Sequence, residues 1–368
     1  MNIEVSAEKF KEAIHLIERI AGKHPTLPVL SCILIESTKN TVILRATNLD
    51  VGMEISIPAK TDSETRIAVP ANILSSFIGQ ISEQNQTIKL SESSGNVTIS
   101  SQKTKSVLKT LPNEDFPSVP RVSQGEKLVI NSGLVSKGLS SVSYSSSVSS
   151  VKPELSSVYV YSESNQLVFA ATDSFRLAEK KIRLTNQISK CDILIPFKNT
   201  PDIIRFLEYV NKDVDIKYNN NLISFETNDV YLVSRVIDGV FPDYKQIIPK
   251  SFASEAVVLK QDFWNAIKIS NIFSDKFNQI HFYIDPTKKI FEIQTKNSDI
   301  GENKTSIDAA LTGESVEINF NYKYISDCFQ SIDSDSLSLQ LSGTNKPMVI
   351  RPIAGDQNFM YLVMPMNR

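Results

Sequence analysis

The strongest constraint on the fold is an ordered set of landmarks that occurs three times along the chain. Thr47 ends an alternating strand-like run, and Thr172 and Thr295 end similar runs 125 and then 123 positions later. Phe116-Pro117 recurs as Phe241-Pro242, again 125 positions further on. Several landmarks in one order and at one spacing are typical of a repeated domain. The sequence therefore predicts three copies of one unit.

Each copy contains the same local patterns. Apolar residues at helical spacing predict a first helix within 5–21, 132–142 and 261–273, and Val69-Pro70, Ile195-Pro196 and, more weakly, Phe320-Asn321 precede a second one. Six to eight short strand-like runs complete each copy. This predicts an α+β fold of three domains, each with two helices packed on antiparallel sheets. We expect the domains to cover residues 1–124, 125–252 and 253–368.

Composition limits the class of protein. With 368 residues, 41% hydrophobic and 22% charged, the chain is long enough for two or three domains with sizeable cores. Its net charge of −2 disfavours a broadly basic surface that grips nucleic acid, although a basic stripe on an acidic body remains compatible.

Three cysteines, Cys32, Cys191 and Cys328, lie far apart without metal-binding spacing. An odd number of scattered cysteines indicates buried thiols in a reducing compartment. The N-terminus shows no export signal and no run reaches the roughly 18 apolar residues of a membrane span. We therefore expect a cytoplasmic protein without a membrane partner.

Residues for catalysis are few. HExxH, GxSxG and P-loop patterns are absent from the sequence, and the pair Asp213 and Asp215 is more typical of a solvated turn than of a metal site. His15 and His281 are interpreted as structural, whereas His24 beside Lys23 is a candidate phosphate contact. We expect no metal, no cofactor and no enzyme activity. The alternative is a triplicated enzyme or ligand-binding protein with a site between repeats two and three.

The stretch Ala171-Thr172-Asp173-Ser174-Phe175-Arg176-Leu177 has two interpretations. It can be a turn that ends a strand. It can also present Phe175, Arg176 and Leu177 at a surface where a partner docks, because exposed apolar residues beside an arginine are typical of interface hot spots. For an enzyme, Arg176 has no obvious acid or base partner in the nearby loops.

Four segments carry a resemblance to a known family. They are His24-Pro25-Thr26-Leu27-Pro28-Val29-Leu30, Ala171-Thr172-Asp173 with Arg176-Leu177-Ala178, Asp238-Gly239-Val240-Phe241-Pro242-Asp243-Tyr244, and Tyr361-Leu362-Val363-Met364-Pro365-Met366. Together they closely resemble the bacterial DNA polymerase III beta subunit family, the sliding clamps, over the whole chain. The resemblance implies that each chain forms half of a ring. Two chains would join head to tail, encircle duplex DNA without reading its sequence, and tether the replicative polymerase without catalysing a reaction.

The resemblance also implies a pocket for short peptides of the polymerase III catalytic subunit, the clamp loader, other polymerases and repair proteins. Its expected residues are Leu155, Thr172, Ser174, Phe175, Arg176, Leu177, Pro242, Ile247, Asn321, Tyr324, Val363, Met364, Pro365 and Met366. The family often has Gly-His where this chain has Ser174-Phe175, and Asn367-Arg368 replaces the usual final Arg-Leu. A bulkier, more apolar rim is therefore expected, with a different motif preference.

Two further sets of residues follow from the resemblance. His24, Ser149 and Lys152 are expected to face DNA, and Leu108, Ile272 and Phe273 are expected at the interface between two chains.

Overall fold

One order of elements occurs three times in the structure, a computed structural model that describes residues 2–22, 27–81, 86–93, 95–184 and 190–366. Each repeat has a strand, a helix, four strands, a second helix and three strands. In the third repeat the fourth strand is broken into two. The predicted α+β fold with two helices in each repeat is confirmed.

Six α-helices lie in the described part of the chain, two in each repeat. They are α1 (Ala7–Ile17), α2 (Ala71–Gly79), α3 (Ser132–Val142), α4 (Thr200–Val210), α5 (Lys260–Ile272) and α6 (Tyr322–Asp327). None of these helices is long and apolar enough to cross a bilayer.

The first repeat contains β1 (Asn2–Ser6), β2 (Cys32–Thr38), β3 (Thr41–Thr47), β4 (Val51–Thr61), β5 (Thr65–Pro70), β6 (Thr87–Ser93), β7 (Asn96–Ser100) and β8 (Lys105–Lys109). The second contains β9 (Glu126–Asn131), β10 (Ser157–Glu163), β11 (Gln166–Thr172), β12 (Arg176–Arg183), β13 (Asp192–Pro196), β14 (Asp213–Tyr218), β15 (Leu222–Glu226) and β16 (Val230–Arg235). The third contains β17 (Ser254–Leu259), β18 (Gln279–Asp285), β19 (Ile290–Asn297), β20 (Gly301–Ser306), β21 (Ala309–Gly313), β22 (Val316–Asn321), β23 (Ser336–Leu341), β24 (Met348–Pro352) and β25 (Phe359–Val363).

By contacts the chain divides into two compact units. Unit 1 is Met1–Ser136 with Lys198–Val236, and unit 2 is Lys137–Phe197 with Ile237–Arg368. Unit 1 contains one antiparallel sheet with the order β8-β7-β6-β1-β4-β16-β15-β14-β9, to which β2, β3 and β5 are added through β3. Unit 2 contains a sheet with the order β13-β10-β11-β12-β25-β24-β23-β17-β21 and a smaller one with the order β20-β19-β18-β22.

Each unit contains one junction between repeats, and both junctions follow one rule. In unit 1, β4 pairs with β16 and places Val51 opposite Ser234. We call this strand pairing the first junction. In unit 2, β12 pairs with β25 and places Arg176 opposite Val363, the second junction. In both cases the fourth strand of one repeat pairs with the last strand of the next. The register makes Val51 the counterpart of Arg176 and Ser234 the counterpart of Val363.

Helix α1 shows why the repeats fold as the pattern predicts. Phe10, Ile14 and Ile17 recur at helical spacing and are all buried. An apolar stripe of this kind packs on a core, whereas the lysines and glutamates between its members stay in water. Ser6 occupies the N-cap position, but its side chain makes no capping hydrogen bond.

At each junction, a buried glutamate lies three residues after the start of the earlier repeat's strand. Glu54 follows Val51 on β4, and Glu179 follows Arg176 on β12. Glu54 on β4 accepts from Arg45 and from Arg121, and the Arg121 guanidinium lies 3.7 Å from the centre of the Tyr231 ring. Glu179 on β12 instead accepts a hydrogen bond from the Tyr244 hydroxyl. A buried carboxylate needs such partners because its desolvation is costly. The two junctions therefore share a plan but differ in their polar residues.

Candidate partner-binding site

The turn that follows β11 is built by side-chain hydrogen bonds to its own backbone. The Thr172 hydroxyl donates to the Arg176 carbonyl at 2.6 Å and accepts from the Ser174 amide at 3.2 Å. The Asp173 carboxylate accepts from the amides of Phe175 and Arg176, both at 3.0 Å. This local cap holds residues 173–176 in one conformation.

The turn after β3 has the same construction. The Thr47 hydroxyl donates to the Val51 carbonyl at 2.9 Å, and the Asn48 side chain accepts from the amides of Asp50 and Val51. Leu49 has φ of 76°, and its counterpart Ser174 has φ of 78°. The repeat predicted from Thr47 and Thr172 is confirmed at the level of single hydrogen bonds. At Ser174, the left-handed backbone is the conformation that favours the family's glycine.

The third landmark was placed wrongly. Thr295 lies two residues before the end of β19, and the turn that follows is capped by Asn297, whose side chain accepts from the Asp299 amide at 2.9 Å. In this repeat the hairpin between β19 and β20 extends further before it turns.

Arg176 is held on three sides, so the expectation that it lacks a partner is wrong. Its Nε donates to Asp173 at 3.0 Å, Nη1 donates to Asp327, and Nη2 donates to the Tyr144 carbonyl at 2.7 Å. The guanidinium also lies 4.8 Å from the centre of the Tyr324 ring. Asp327 belongs to the third repeat, so Arg176 connects the two repeats of the second junction.

Phe175 is the exposed member of the turn. Its side chain is 57% exposed, and its ring stacks on Tyr324 with the ring centres 6.2 Å apart. Ser174 beside it is also exposed. An aromatic surface of this kind is typical of an interface anchor.

Leu177 does not match the docking interpretation as first stated. Its side chain is 0% exposed and packs in a cluster with Leu194, Phe241, Tyr244 and Leu362. Strand alternation turns Leu177 to the opposite face from Arg176. The expectation of an exposed leucine is wrong. Leu177 packs in the core beside the turn and does not face the surface.

The C-terminal segment runs from one sheet of unit 2 towards the other. Val363 ends β25, and the Met364 amide then donates to the Phe175 carbonyl at 2.8 Å. The Met366 amide donates to the Asn319 carbonyl on β22, also at 2.8 Å. Met364 packs against the cluster that contains Leu177. Met364 therefore lies beside the Thr172 turn. Asn367-Arg368 fall outside the described residues.

The remaining predicted pocket residues occupy two neighbouring parts of unit 2. Asn321 caps α6 by accepting from the Lys323 amide at 3.0 Å, and the Tyr324 carbonyl accepts from the Tyr361 hydroxyl at 2.5 Å. Pro242 and Ile247 are exposed on the segment that carries Phe241 and Tyr244 into the cluster. Leu155 is buried before β10, and its carbonyl accepts from the Ser147 amide at 2.8 Å.

Burial and a carboxylate shape the polar part of the cluster. The Tyr244 hydroxyl, held by Glu179, also lies 2.9 Å from that of Tyr161. Burial, reinforced by the nearby charge of Glu179, raises the pKa of Tyr244. Tyr244 therefore stays neutral and donates to the carboxylate.

The residues expected to face DNA are only partly placed. Ser149 and Lys152 are exposed on the loop before β10, where Val148 and Val151 are more than four-fifths exposed. His24 lies outside the described residues.

The residues expected between chains lie on the edge strand β8 and at the C-terminal end of α5. Leu108 is half-buried on β8, and its exposed neighbour Val107 was missed because one alternating strand does not show which face stays open. Ile272 is 63% exposed at the end of α5, with Phe273 half-buried beside it. Phe277, which follows α5, and Ile300, immediately before β20, are also exposed and were missed.

All three cysteines are buried, as predicted. Within the ranges that the structure describes, no three His, Cys, Asp or Glu side chains form a group that would hold a metal ion.

Comparison with known proteins gives one consistent result. Three family models of the DNA polymerase III beta subunit match this chain. The N-terminal domain model matches residues 1–120, the central domain model 129–243 and the C-terminal domain model 245–367. The beta sliding clamps of Staphylococcus epidermidis and Staphylococcus aureus are 24% and 25% identical over 375 residues, with 99% of each chain covered.

Solved structures agree in fold. The DNA polymerase III beta subunit of Thermotoga maritima has a TM-score of 0.93 at 24% identity, covering 100% of this chain and 99% of that one. The Pseudomonas aeruginosa sliding clamp bound to griselimycin has a TM-score of 0.93 at 22% identity, with both chains covered fully. Because three domain models in the family's order match nearly the whole chain, this protein belongs to the DNA polymerase III beta subunit family, the beta sliding clamps.

Proposed function

We propose that two copies of this chain join head to tail into a ring that encircles duplex DNA and tethers DNA polymerase III. In this role the protein is a cytoplasmic, non-catalytic processivity factor. The ring holds DNA topologically, so a net charge of −2 is compatible with the function. Weak contacts to phosphates would let it slide, whereas base contacts would stop it.

The observation that carries this proposal is the pairing rule of the two junctions. The fourth strand of repeats one and two pairs with the last strand of the next repeat. Applied once more, the rule pairs the fourth strand of repeat three, whose first part is β20, with β8, the last strand of repeat one. Both β20 and β8 are edge strands of their sheets. Within a ring, a second copy supplies each missing partner.

The residues at these edges suit such an interface. Val107 on β8 is 61% exposed, and Ile272 and Ile300 near β20 are exposed to a similar degree. Exposed apolar residues at an open sheet edge favour strand addition by a second chain. We propose that Leu108, Ile272 and Phe273 belong to this interface, together with Val107, Phe277 and Ile300.

We further propose that the Thr172 turn, the 364–366 segment and the start of α6 form the peptide pocket. Phe175, Tyr324 and Met364 give it apolar walls, and Pro242 and Ile247 extend it on the other side. Methionine suits a site that accepts several related peptides. The partners are short motifs of the polymerase III catalytic subunit, the clamp loader, other polymerases and repair proteins. Ser149, Lys152 and His24 are proposed to face DNA.

A single charge at the interface tests the ring. Ile272→Glu places a carboxylate on an apolar contact and is expected to weaken self-association by about 100-fold. Sedimentation velocity should show a dimer for the unaltered protein at micromolar concentration and a monomer for the variant. Val240→Glu, on a residue 88% exposed elsewhere, is the matched control and should remain dimeric. An unaltered protein that stays monomeric at high concentration would contradict the ring.

A further inference from the structure

Unit 1 contains a cleft at the first junction that corresponds in position to the pocket proposed at the second. Its volume is about 620 Å³, within the range of small-ligand sites. It is lined by the Thr47 turn, the segment at Pro117, the loop before β15 and the end of β16. The register relates Thr47 to Thr172 and Arg235 to Met364. The Arg235 amide donates to the Asp50 carbonyl at 2.8 Å, as the Met364 amide does to Phe175.

The cleft has an apolar side. Leu49, in the turn, is 41% exposed, and Pro117, Leu222 and Val236 also line the space. Leu49 keeps a left-handed backbone, with φ of 76°, that leucine rarely adopts. The turn therefore presents an aliphatic side chain at a position where glycine would be less strained.

Arg235 also lines the cleft and is exposed, and it forms no ion pair with a carboxylate in the described part of the chain. The Arg235 Nε donates to the Leu49 carbonyl at 2.9 Å, while its two terminal nitrogens have no acceptor among the residues that the structure describes. Asp50 is neutralised by Lys198, whose Nζ lies 2.7 Å from its carboxylate. At the second junction, by contrast, Asp173, Asp327 and the Tyr144 carbonyl occupy the donors of Arg176. Arg235 at the first junction therefore offers guanidinium donors to an anion, whereas those of Arg176 are already engaged.

We propose that the first-junction cleft is a second peptide site, which binds a short extended segment with a carboxylate side chain beside an aliphatic residue. The carboxylate accepts from the two terminal nitrogens of Arg235, an end-on pair of charge-assisted hydrogen bonds. The aliphatic residue packs on Leu49 and Pro117. A free inorganic anion would leave the apolar side uncovered, so a peptide fits the chemistry better. The site depends on unit 1 alone and does not require the second-junction pocket.

Two matched peptides test this site by fluorescence anisotropy. The probe is Ala-Leu-Glu-Leu-Ala with an amidated C-terminus and an N-terminal tetramethylrhodamine label, which carries no net charge, and its control replaces glutamate by glutamine. The acidic peptide should bind saturably and about ten times more tightly than the neutral one, since a charge-assisted hydrogen bond exceeds a neutral one. Equal binding of the two peptides, or no saturable binding up to millimolar concentration, would overturn the proposal.

Variants in each cleft locate the binding. Arg235→Gln and Leu49→Gly should each weaken binding of the acidic peptide about tenfold, and glycine suits the backbone at position 49, so the fold is retained. Phe175→Ala at the second junction should leave that binding unchanged. A polymerase tail peptide, measured in parallel, should respond only to Phe175→Ala. If Phe175→Ala abolishes binding of the acidic peptide while Arg235→Gln does not, the proposed site at the first junction is refuted. Failure of the unaltered protein to bind the tail peptide would count only against the second-junction pocket.

Discussion

Removal of Met364–Arg368 is expected to abolish binding of a peptide from the C-terminus of the polymerase catalytic subunit, with an affinity loss of about 100-fold or more. The deletion removes Met364 from the cluster that contains Leu177 and breaks the amide hydrogen bonds to Phe175 and Asn319. One wall of the proposed pocket is then missing. The fold should persist because β25, Phe359–Val363, keeps its pairing with β12 and β24. Isothermal titration calorimetry measures the affinity, and circular dichroism checks the fold.

A shorter deletion provides the control for this experiment. Removing Asn367-Arg368 alone keeps Met364 and Met366 with their hydrogen bonds and should retain most of the affinity. If the longer deletion binds the peptide as tightly as the full chain, the pocket lies elsewhere. A loss caused entirely by the shorter deletion would move the important contact to the last two residues.

Asp356→Ala is expected to destabilise unit 2 by about 3–5 kcal/mol, the usual cost of leaving a buried charge without its partner. Lys180 on β12 is 1% exposed, and its ammonium donates to Asp356 in the loop before β25. Lys137 on α3 lies 3.0 Å from the same carboxylate oxygen. The carboxylate therefore joins elements of the second and third repeats. Urea unfolding followed by the fluorescence of Trp264, the single tryptophan and a residue of unit 2, measures the change.

A double variant separates the ion pair from simple packing. Lys180→Met combined with Asp356→Ala removes both charges and should recover most of the lost stability, because the apolar side chain needs no counter-ion. If Asp356→Ala alone costs less than about 1 kcal/mol, or the double variant is as unstable as the single one, Lys180 does not depend on Asp356.

The same carboxylate gives a pH dependence. Burial would raise the pKa of Asp356, but the hydrogen bonds from Lys180 and Lys137 outweigh burial and lower it to about 2 from its usual 3.8. A lowered pKa stabilises the folded state above the usual value, and the stabilisation is lost as the pH falls from about 4 to 2. The stability difference between the unaltered protein and Asp356→Ala should therefore shrink over that range.

The sequence predicted features that depend on neighbouring residues. Thr172 and Asp173 cap their own turn, so a local pattern was enough to find it and to match Thr172 to Thr47. The helical spacing of Phe10, Ile14 and Ile17 likewise predicted a buried stripe. Strand alternation, however, did not show that Leu177 points into the core beneath Arg176.

Contacts between distant residues were not visible in the sequence. Arg176 meets Asp327 across 151 positions, and Lys180 meets Asp356 across 176. No spacing rule relates such residues, because the pairing of β12 with β25 brings them together. The cleft at Arg235 was missed for the same reason, since it depends on the pairing of β4 with β16. The repeat pattern is the sequence signal that could have indicated this cleft, because a site at one junction predicts a counterpart at the other.

Retention on DNA of different topology tests the central claim most directly. The protein is loaded by its clamp loader onto a nicked circular duplex, washed at high salt, and then measured again after a restriction enzyme has linearised the circle. A ring that holds DNA by encircling it should remain on the circle and be lost from the linear molecule, because high salt removes phosphate contacts but not a topological link. Equal retention on the circular and linear forms would contradict the ring.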